Sequence, residues 1–268
     1  MTNIINGIEV RDYYFNKYKD EIFRNHYKMK LVIIYIGNDQ ASRIYVNKKK
    51  EICDKLNISC EILHYESILE YELLKIIDGL NNDFSVTGIM VELPLPNNID
   101  KEKVINSIDP LKDVDGLTMD SLVIPCTALA IINILKYYDV SINDSSIAIV
   151  GYSNLIGKPL EKYFISCGIK PFICNSKTND LKNILLNSDI IITGVGKYNL
   201  IKEEMINEGS ILIDAGIVRH NNRVVGDCDF NNVKDKCLLM TPVPGGVGPV
   251  TTIMVVNNLI DLYKRKFL

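Results

Sequence analysis

Ser146-Ile-Ala-Ile-Val-Gly-Tyr-Ser-Asn-Leu-Ile-Gly-Lys-Pro159 decides how this chain folds. Ser146–Val150 is a short, unbroken apolar run, the pattern of a strand buried on both faces. It breaks at Gly151, and the next helix is expected to begin near Gly157. A strand, a glycine turn and a helix N-terminus aim backbone N–H groups and a positive dipole end at one point, where a phosphate is stabilised. The Gly-x-Ser-x-x-x-Gly spacing meets the general dinucleotide fingerprint only in part, and a lone glycine turn is usually only a tight turn. The downstream sequence favours the nucleotide. Pro171-Phe-Ile-Cys174, Asp189-Ile-Ile-Ile-Thr193 and Ser210-Ile-Leu-Ile-Asp214 repeat the buried-strand pattern. Two of these runs end in small residues, Gly194-Val-Gly196 and Ala215-Gly216, which leave room for a ligand above a parallel sheet. Gly151, Ser153, Gly157 and Gly194 are therefore candidate cofactor-lining residues, and Tyr152 and Ile217, next to these turns, are counted with them.

The end of the second strand of this unit bears on NAD against NADP. A site for NAD usually has an acid there, about 20 residues past the glycine turn, to accept the ribose 2′-hydroxyl. This chain has Asn175-Ser-Lys-Thr178, with no acid before Asp180. Ser176, Lys177 and Thr178 offer donors and a cation, which suit a 2′-phosphate. The same residues also read as a polar turn with Thr178 as N-cap of the next helix, and local sequence leaves both readings open.

Strand-like runs alternate with helical patterns in the N-terminal half too, so the whole chain reads as α/β. Leu31-Val-Ile-Ile-Tyr-Ile36, Ser59-Cys-Glu-Ile-Leu-His64 and Gly88-Ile-Met-Val91 are the expected strands, with a helix from about Asp39 to Leu56 between the first two. That helix carries Tyr45 and Lys49 at i, i+4, on one face. Glu92 follows the third strand and can meet them from its end. A second helix is expected from Ala128 to Tyr138, with Thr127 as N-cap, and a domain boundary falls around it. Near the C-terminus, Thr241-Pro-Val-Pro-Gly-Gly-Val-Gly-Pro-Val-Thr-Thr252 combines fixed and side-chain-free backbone before a last helix. Such a stiff, bare loop favours a ligand-lining role for Pro244, Gly245 and Gly246.

The chain's 268 residues, 47% of them apolar, suffice for two ordinary domains. With a net charge of −3 and no dense basic run beyond Lys48-Lys49-Lys50, nucleic acid and anionic membranes are not expected partners. No apolar stretch approaches the roughly 20 residues of a membrane span, and Met1-Thr-Asn-Ile-Ile-Asn6 does not read as a signal peptide. The seven cysteines are odd in number and lack CxxC spacing, which argues against a disulfide framework and a metal site and for a reducing cytoplasm. Cys126 has no histidine in its segment to activate it, so it reads as a small lining residue rather than a nucleophile.

Taken together, Tyr45-Val-Asn-Lys-Lys-Lys50, Gly88-Ile-Met-Val-Glu-Leu-Pro-Leu-Pro96, Lys112-Asp-Val-Asp-Gly-Leu-Thr118, Pro125-Cys-Thr127, Val150-Gly-Tyr-Ser-Asn-Leu-Ile-Gly-Lys-Pro159 and Pro242-Val-Pro-Gly-Gly-Val-Gly-Pro249 stand in the order and spacing of one family. Over essentially its whole length the chain resembles the bifunctional methylenetetrahydrofolate dehydrogenase/methenyltetrahydrofolate cyclohydrolase family. The resemblance implies an N-terminal catalytic domain (1–125 plus 250–268, with a returning C-terminal helix), a Rossmann-type NADP domain (126–249), a cleft between them and a homodimer. It implies Lys49 as catalytic acid/base, Tyr45 packed against the folate's aromatic part, and Asp115 hydrogen-bonded to the pterin. A pterin's N–H edge needs a fixed carboxylate, and Asp115, before Gly116, can supply one from a loop. The implied chemistry is hydride transfer from 5,10-methylenetetrahydrofolate to NADP, then water attack on the methenyl carbon to give 10-formyltetrahydrofolate.

Three departures from the family pattern shape further expectations. Glu92 stands for a glutamine: ionised, it favours the Lys49 ammonium and predicts a dehydrogenase with weak or absent cyclohydrolase; neutral, it donates a hydrogen bond instead. Tyr152 replaces an arginine that clamps the 2′-phosphate, and Asn175 a histidine, which together predict relaxed selectivity with NAD accepted beside NADP. Ala128-Leu-Ala130 replaces proline and glycine at a helix entry. A different two-domain dehydrogenase, or a non-catalytic folate- or nucleotide-binding protein, are the rival readings.

Overall fold

A computed structural model describes residues 3–267; Met1, Thr2 and Leu268, at the ends of the expected first domain, lie outside the described residues. The chain runs through β1 (Asn3–Ile4), α1 (Gly7–Asn25), β2 (Lys30–Ile36), α2 (Gln40–Lys55), β3 (Ser59–Tyr65), α3 (Glu70–Asn82), β4 (Gly88–Val91) and α4 (Lys101–Ile105). It continues with α5 (Cys126–Tyr137), β5 (Ile147–Val150), α6 (Gly157–Ser166), β6 (Phe172–Cys174), α7 (Leu181–Leu186), β7 (Ile190–Thr193) and β8 (Ile211–Asp214). Last come β9 (Val218–His220), β10 (Arg223–Val225), α8 (Phe230–Val233), β11 (Leu239–Met240) and α9 (Val247–Phe267). These elements form two compact units: Met1–Asp12 with Thr127–Thr251, and Tyr13–Cys126 with Thr252–Leu268.

The first unit is built on a sheet ordered β1-β11-β8-β7-β5-β6 in which every pair is parallel. Strands β5 and β7 are buried at every residue, which is why their sequences are unbroken Ile, Val and Ala runs rather than alternating ones. Their starts are pinned by Asp189, whose Oδ2 accepts from the Ser146 backbone N–H and hydroxyl, each at 2.7 Å. Strand β5 lies between β6 and β7, so the chain reverses direction of travel along the sheet there, at the switch point where α/β sheets bind ligands. The sequence-based boundary 1–125 differs from this division at the N-terminus. Asn3 and Ile4 pair with Leu239 and Met240, and a two-residue edge strand carries no periodic signal. The β9–β10 hairpin turns through Asn221 and Asn222, both at positive φ, the two-residue geometry that asparagine tolerates.

The second unit has a three-stranded parallel sheet, β3-β2-β4. Central β2 is buried except at its first residue, and β2, β4, α3 and α4 share a core around Val32, Ile34, Leu73, Ile77, Ile89 and Val104. All three strands stand within a residue of the expected positions. Helix α2 starts at an N-cap, Asp39, whose Oδ2 accepts from the Ser42 N–H at 2.8 Å. Helix α5 begins at Cys126, so Thr127 is in its first turn and is not the cap. Among the described residues no helix is long and apolar enough to cross a membrane.

Candidate active site

Helix α2 presents Tyr45 and, one turn on, Lys49. Strand β4 meets them from the sheet: Met90 and Glu92 are two apart, so they point to the same side of the extended chain, and the Glu92 N–H donates to Ile34 O at 2.9 Å, carrying the ladder one residue past the strand. The Lys49 ammonium donates to Glu92 Oε2 at 2.6 Å and sits 3.3 Å from Met90 Sδ. Both partners are sheltered, with side chains only 12% and 11% exposed. Tyr45 stays half open, 39% exposed, with Lys48 Nζ 5.7 Å from its ring centroid.

A third charge comes from the loop after β4. Asp115 is held in place by a scaffold of other residues. Asp113, buried, accepts from the N–H groups of Gly116 and Thr118 and from the Thr118 hydroxyl at 2.8–2.9 Å. Gly116 has φ +75, and a Cβ there would lie 2.7 Å from the Pro125 nitrogen, so only glycine fits. Asn258 on α9 donates to the carbonyls of Val114 and Ile124, both at 2.9 Å. Lys112, also buried, donates to the carbonyls of Leu80, Asn81 and Asp83, each at 2.7 Å, and so satisfies the C-terminal end of α3. It is a structural lysine rather than a catalytic one.

The electrostatics follow from shelter and proximity. Burial pushes the Lys49 ammonium toward its neutral form, but the Glu92 and Asp115 carboxylates and the Glu92 hydrogen bond outweigh it, and its pKa lies above the ordinary lysine value. Burial raises Asp115 to about 6, helped by Asp113 and Glu92 and opposed by Lys49. The Cys126 thiol is pushed well above its usual value by burial and then by Asp115; it donates to Val114 O at 3.4 Å. Such a thiol is protonated and a poor nucleophile. The cluster is a proton-holding lysine between two carboxylates beside an exposed aromatic ring, suited to a ligand with an aromatic face and polar edge and to proton transfer.

In the first unit, Gly151 has φ +101, and a Cβ on Gly157 would lie 2.2 Å from Gly151 O, so the turn closes only with glycine at both places. Ser153 holds the turn, its hydroxyl accepting from Ile156 N–H at 3.2 Å and its carbonyl from Lys158 N–H at 3.1 Å. Among the described residues no side chain caps the N-terminus of α6, and no acid stands in its first turn, which leaves the positive dipole end for an anionic ligand. Thr178 is no N-cap: α7 is capped by Asp180, and the Thr178 hydroxyl accepts from Asn175 N–H at 2.8 Å. Ser176 and Lys177 are exposed beside it.

Two buried aspartates that organise the loops of this unit escaped the sequence reading. Asp227, fully buried, accepts from the Thr193 hydroxyl and the N–H groups of Val195 and Lys197, each at 2.7 Å; Asp214 accepts from Gly216, Asp227 and Cys228 N–H groups at 2.8–3.1 Å. Each carboxylate lands on the other loop's glycine: a Cβ on Gly216 would lie 2.3 Å from Asp227 Cγ, and one on Gly226 would lie 2.1 Å from Asp214 Oδ2. The bareness of Gly216 thus makes room for a carboxylate of the chain itself, not for a ligand. Gly194 likewise admits Ile156, whose Cδ1 would be 2.5 Å from a Cβ there. Ile217 is 61% exposed. Pro244, Gly245 and Gly246 belong to this unit too, and Gly245 O accepts from Gly7 N–H at 2.9 Å, so Gly245 also holds the start of α1. Only the spacing Asp-x-Gly at 214–216 and Gly-Asp at 226–227 marks these sites in sequence, and it does not reveal their pairing.

Two family models match: tetrahydrofolate dehydrogenase/cyclohydrolase, catalytic domain, over residues 5–115, and the NAD(P)-binding domain of the same family over residues 125–267. The bifunctional protein FolD of Mycoplasma mycoides is 42% identical over 253 residues, covering 90% of this chain and 88% of that one. Among solved structures, bifunctional FolD from Campylobacter jejuni superposes with a TM-score of 0.93 at 33% identity, covering all of both chains. The Trypanosoma brucei enzyme, solved with NADP and an inhibitor, gives 0.91 at 26% identity over 99% of this chain and 98% of that one.

Proposed function

The chain belongs to the tetrahydrofolate dehydrogenase/cyclohydrolase family, and we propose that it works as such an enzyme: it oxidises 5,10-methylenetetrahydrofolate to the methenyl form with NADP and hydrolyses that product to 10-formyltetrahydrofolate. The observation that carries this reading is the 2.6 Å Lys49–Glu92 contact, with Asp115 close enough to act on the same ammonium. Nothing in the rival dehydrogenase reading requires a sheltered lysine there.

The residues of the first unit fit a dinucleotide: an uncapped helix N-terminus for the pyrophosphate, with Gly151, Ser153 and Gly157 shaping the turn, and Tyr152, Ser176 and Lys177 at the ribose end. Bound there, the nicotinamide supplies a hydride acceptor. Asp115 accepts hydrogen bonds from the pterin edge, and its raised pKa lets it bind that edge either as carboxylate or as acid. Tyr45 offers its ring to the folate's aromatic portion and so aligns the one-carbon bridge. In hydrolysis Lys49 handles the protons at Nζ: as ammonium it gives one to the nitrogen that leaves when the ring opens, and as free amine it takes one from the attacking water. Glu92 sets the balance between the two forms. Pro244, Gly245 and Gly246 line the substrate, Gly194 and Ile217 the cofactor, and the enzyme acts in the cytoplasm as a homodimer.

The test is one assay following NADPH and methenyl absorbance together. Lys49→Met is expected to lower hydrolysis by about 10²–10⁴-fold, the usual contribution of a general acid/base. Hydrolysis at the wild-type rate would overturn the assignment.

A further inference from the structure

We propose that Glu161, acting with Tyr152, sets the discrimination between NADP and NAD by placing a carboxylate where the 2′-phosphate would be read; the proposal rests on the nucleotide-binding reading above. Val150 pairs with Cys174 and the Gly151 N–H donates to Cys174 O at 2.8 Å. Tyr152 therefore leaves β5 beside the end of β6, the place where a unit of this topology reads the adenosine ribose.

What occupies that place is not cationic throughout. The Tyr152 hydroxyl donates to Glu161 Oε2 at 2.5 Å, and Glu161 stands on α6 one turn after Gly157. Lys158, on the same helix, lies 5.8 Å from the Tyr152 ring centroid and so partly offsets the carboxylate. Across the gap, the β6 loop offers Ser176 and Lys177, while Asn175 and Thr178 are engaged in closing its turn.

The two sides favour different ligands. A ribose 2′-phosphate carries about −1.5 to −2 charges near neutral pH and is drawn to Lys177 but repelled by Glu161. A ribose hydroxyl carries no charge and can donate to the Glu161 carboxylate, as the acid in NAD sites usually has it do. An arginine at position 152 would neutralise Glu161 and add a planar fork for the phosphate; a tyrosine does neither and orients the carboxylate instead. The site is thus a compromise that accepts both cofactors, and Glu161 is the residue acting against NADP.

The experiment is calorimetry on the intact enzyme with 2′,5′-ADP and 5′-AMP as probes, comparing wild type, Glu161→Gln and Tyr152→Arg. Glu161→Gln is expected to raise the ratio of affinities, 2′,5′-ADP over 5′-AMP, about 3- to 10-fold, an effect that shrinks as salt screens the charges. Tyr152→Arg should raise it further. In turnover the NADP/NAD ratio of kcat/KM should move the same way, through KM. A ratio within about twofold of wild type in Glu161→Gln, with both probes bound, overturns the role of Glu161. If wild type binds neither probe, the nucleotide-binding reading itself fails, and this proposal with it.

Discussion

Replacing Glu92 by glutamine isolates the one departure that lies at the chemistry. The substitution preserves shape and an acceptor for Lys49 but removes the charge. A charge-assisted hydrogen bond is worth about 1.5–3 kcal/mol against roughly 0.5–1.5 for a neutral one, and this contact is short, at 2.6 Å, with both side chains about nine-tenths shielded. About 1 kcal/mol of stabilisation of the ammonium is expected to disappear. Burial, the largest influence on Lys49, then meets only Asp115 as a sizeable opponent, so the free amine becomes more accessible at neutral pH. At 1.36 kcal/mol per tenfold, hydrolysis at pH 7 should rise about fivefold and its pH profile should move to lower pH. Hydride transfer, which depends on alignment more than on a proton, should change by less than about twofold. The measurement is methenyl decay from pH 6 to 9 beside NADPH formation. Superimposable hydrolysis profiles for wild type and Glu92→Gln would refute the premise that the carboxylate's charge governs Lys49.

Asp115→Asn tests the cost of the site to the fold. Burial lifts Asp115 from 3.8 to about 6, so the folded state binds its proton more readily than the unfolded one. Stability on this account is greatest below about pH 4 and declines as pH rises toward 6; the variant should melt a few degrees higher at pH 7.5, by about 1–3 kcal/mol, match wild type near pH 4, and lose folate binding. Lys112→Met removes the buried donor to three part-buried carbonyls and should cost about 3–5 kcal/mol in urea unfolding. Gly216→Ala forces a Cβ to within 2.3 Å of Asp227 and should weaken cofactor affinity by displacing the Val195 and Lys197 N–H groups, while a variant titrating like wild type would deny Asp227 that positioning role.

Local sequence was enough wherever one element carries its own signal. The Ile-rich runs of β5, β7 and β8 announce a parallel sheet because strands covered on both faces have no polar side to show. Gly151 and Gly157 announce the turn because no other residue fits between those backbones, and the i, i+4 spacing puts Tyr45 and Lys49 on one face of a helix before any fold is known. The readings of Thr127 and Thr178 as caps failed because the helix ends lie elsewhere: α5 starts one residue before Thr127, and Asp180, two residues past Thr178, caps α7.

Tertiary structure alone decided what depends on residues far apart in the chain. That two residues form a sixth strand, that Asp214 and Asp227 exchange places over each other's glycines, and that Lys112 closes a helix about thirty residues upstream are matters of long-range packing, invisible to periodicity. Glu92 shows the division within one residue. Its identity marks the departure from the family, but only the 2.6 Å contact, made where two elements bring sheltered side chains together, turns that carboxylate into the group that fixes the lysine's proton.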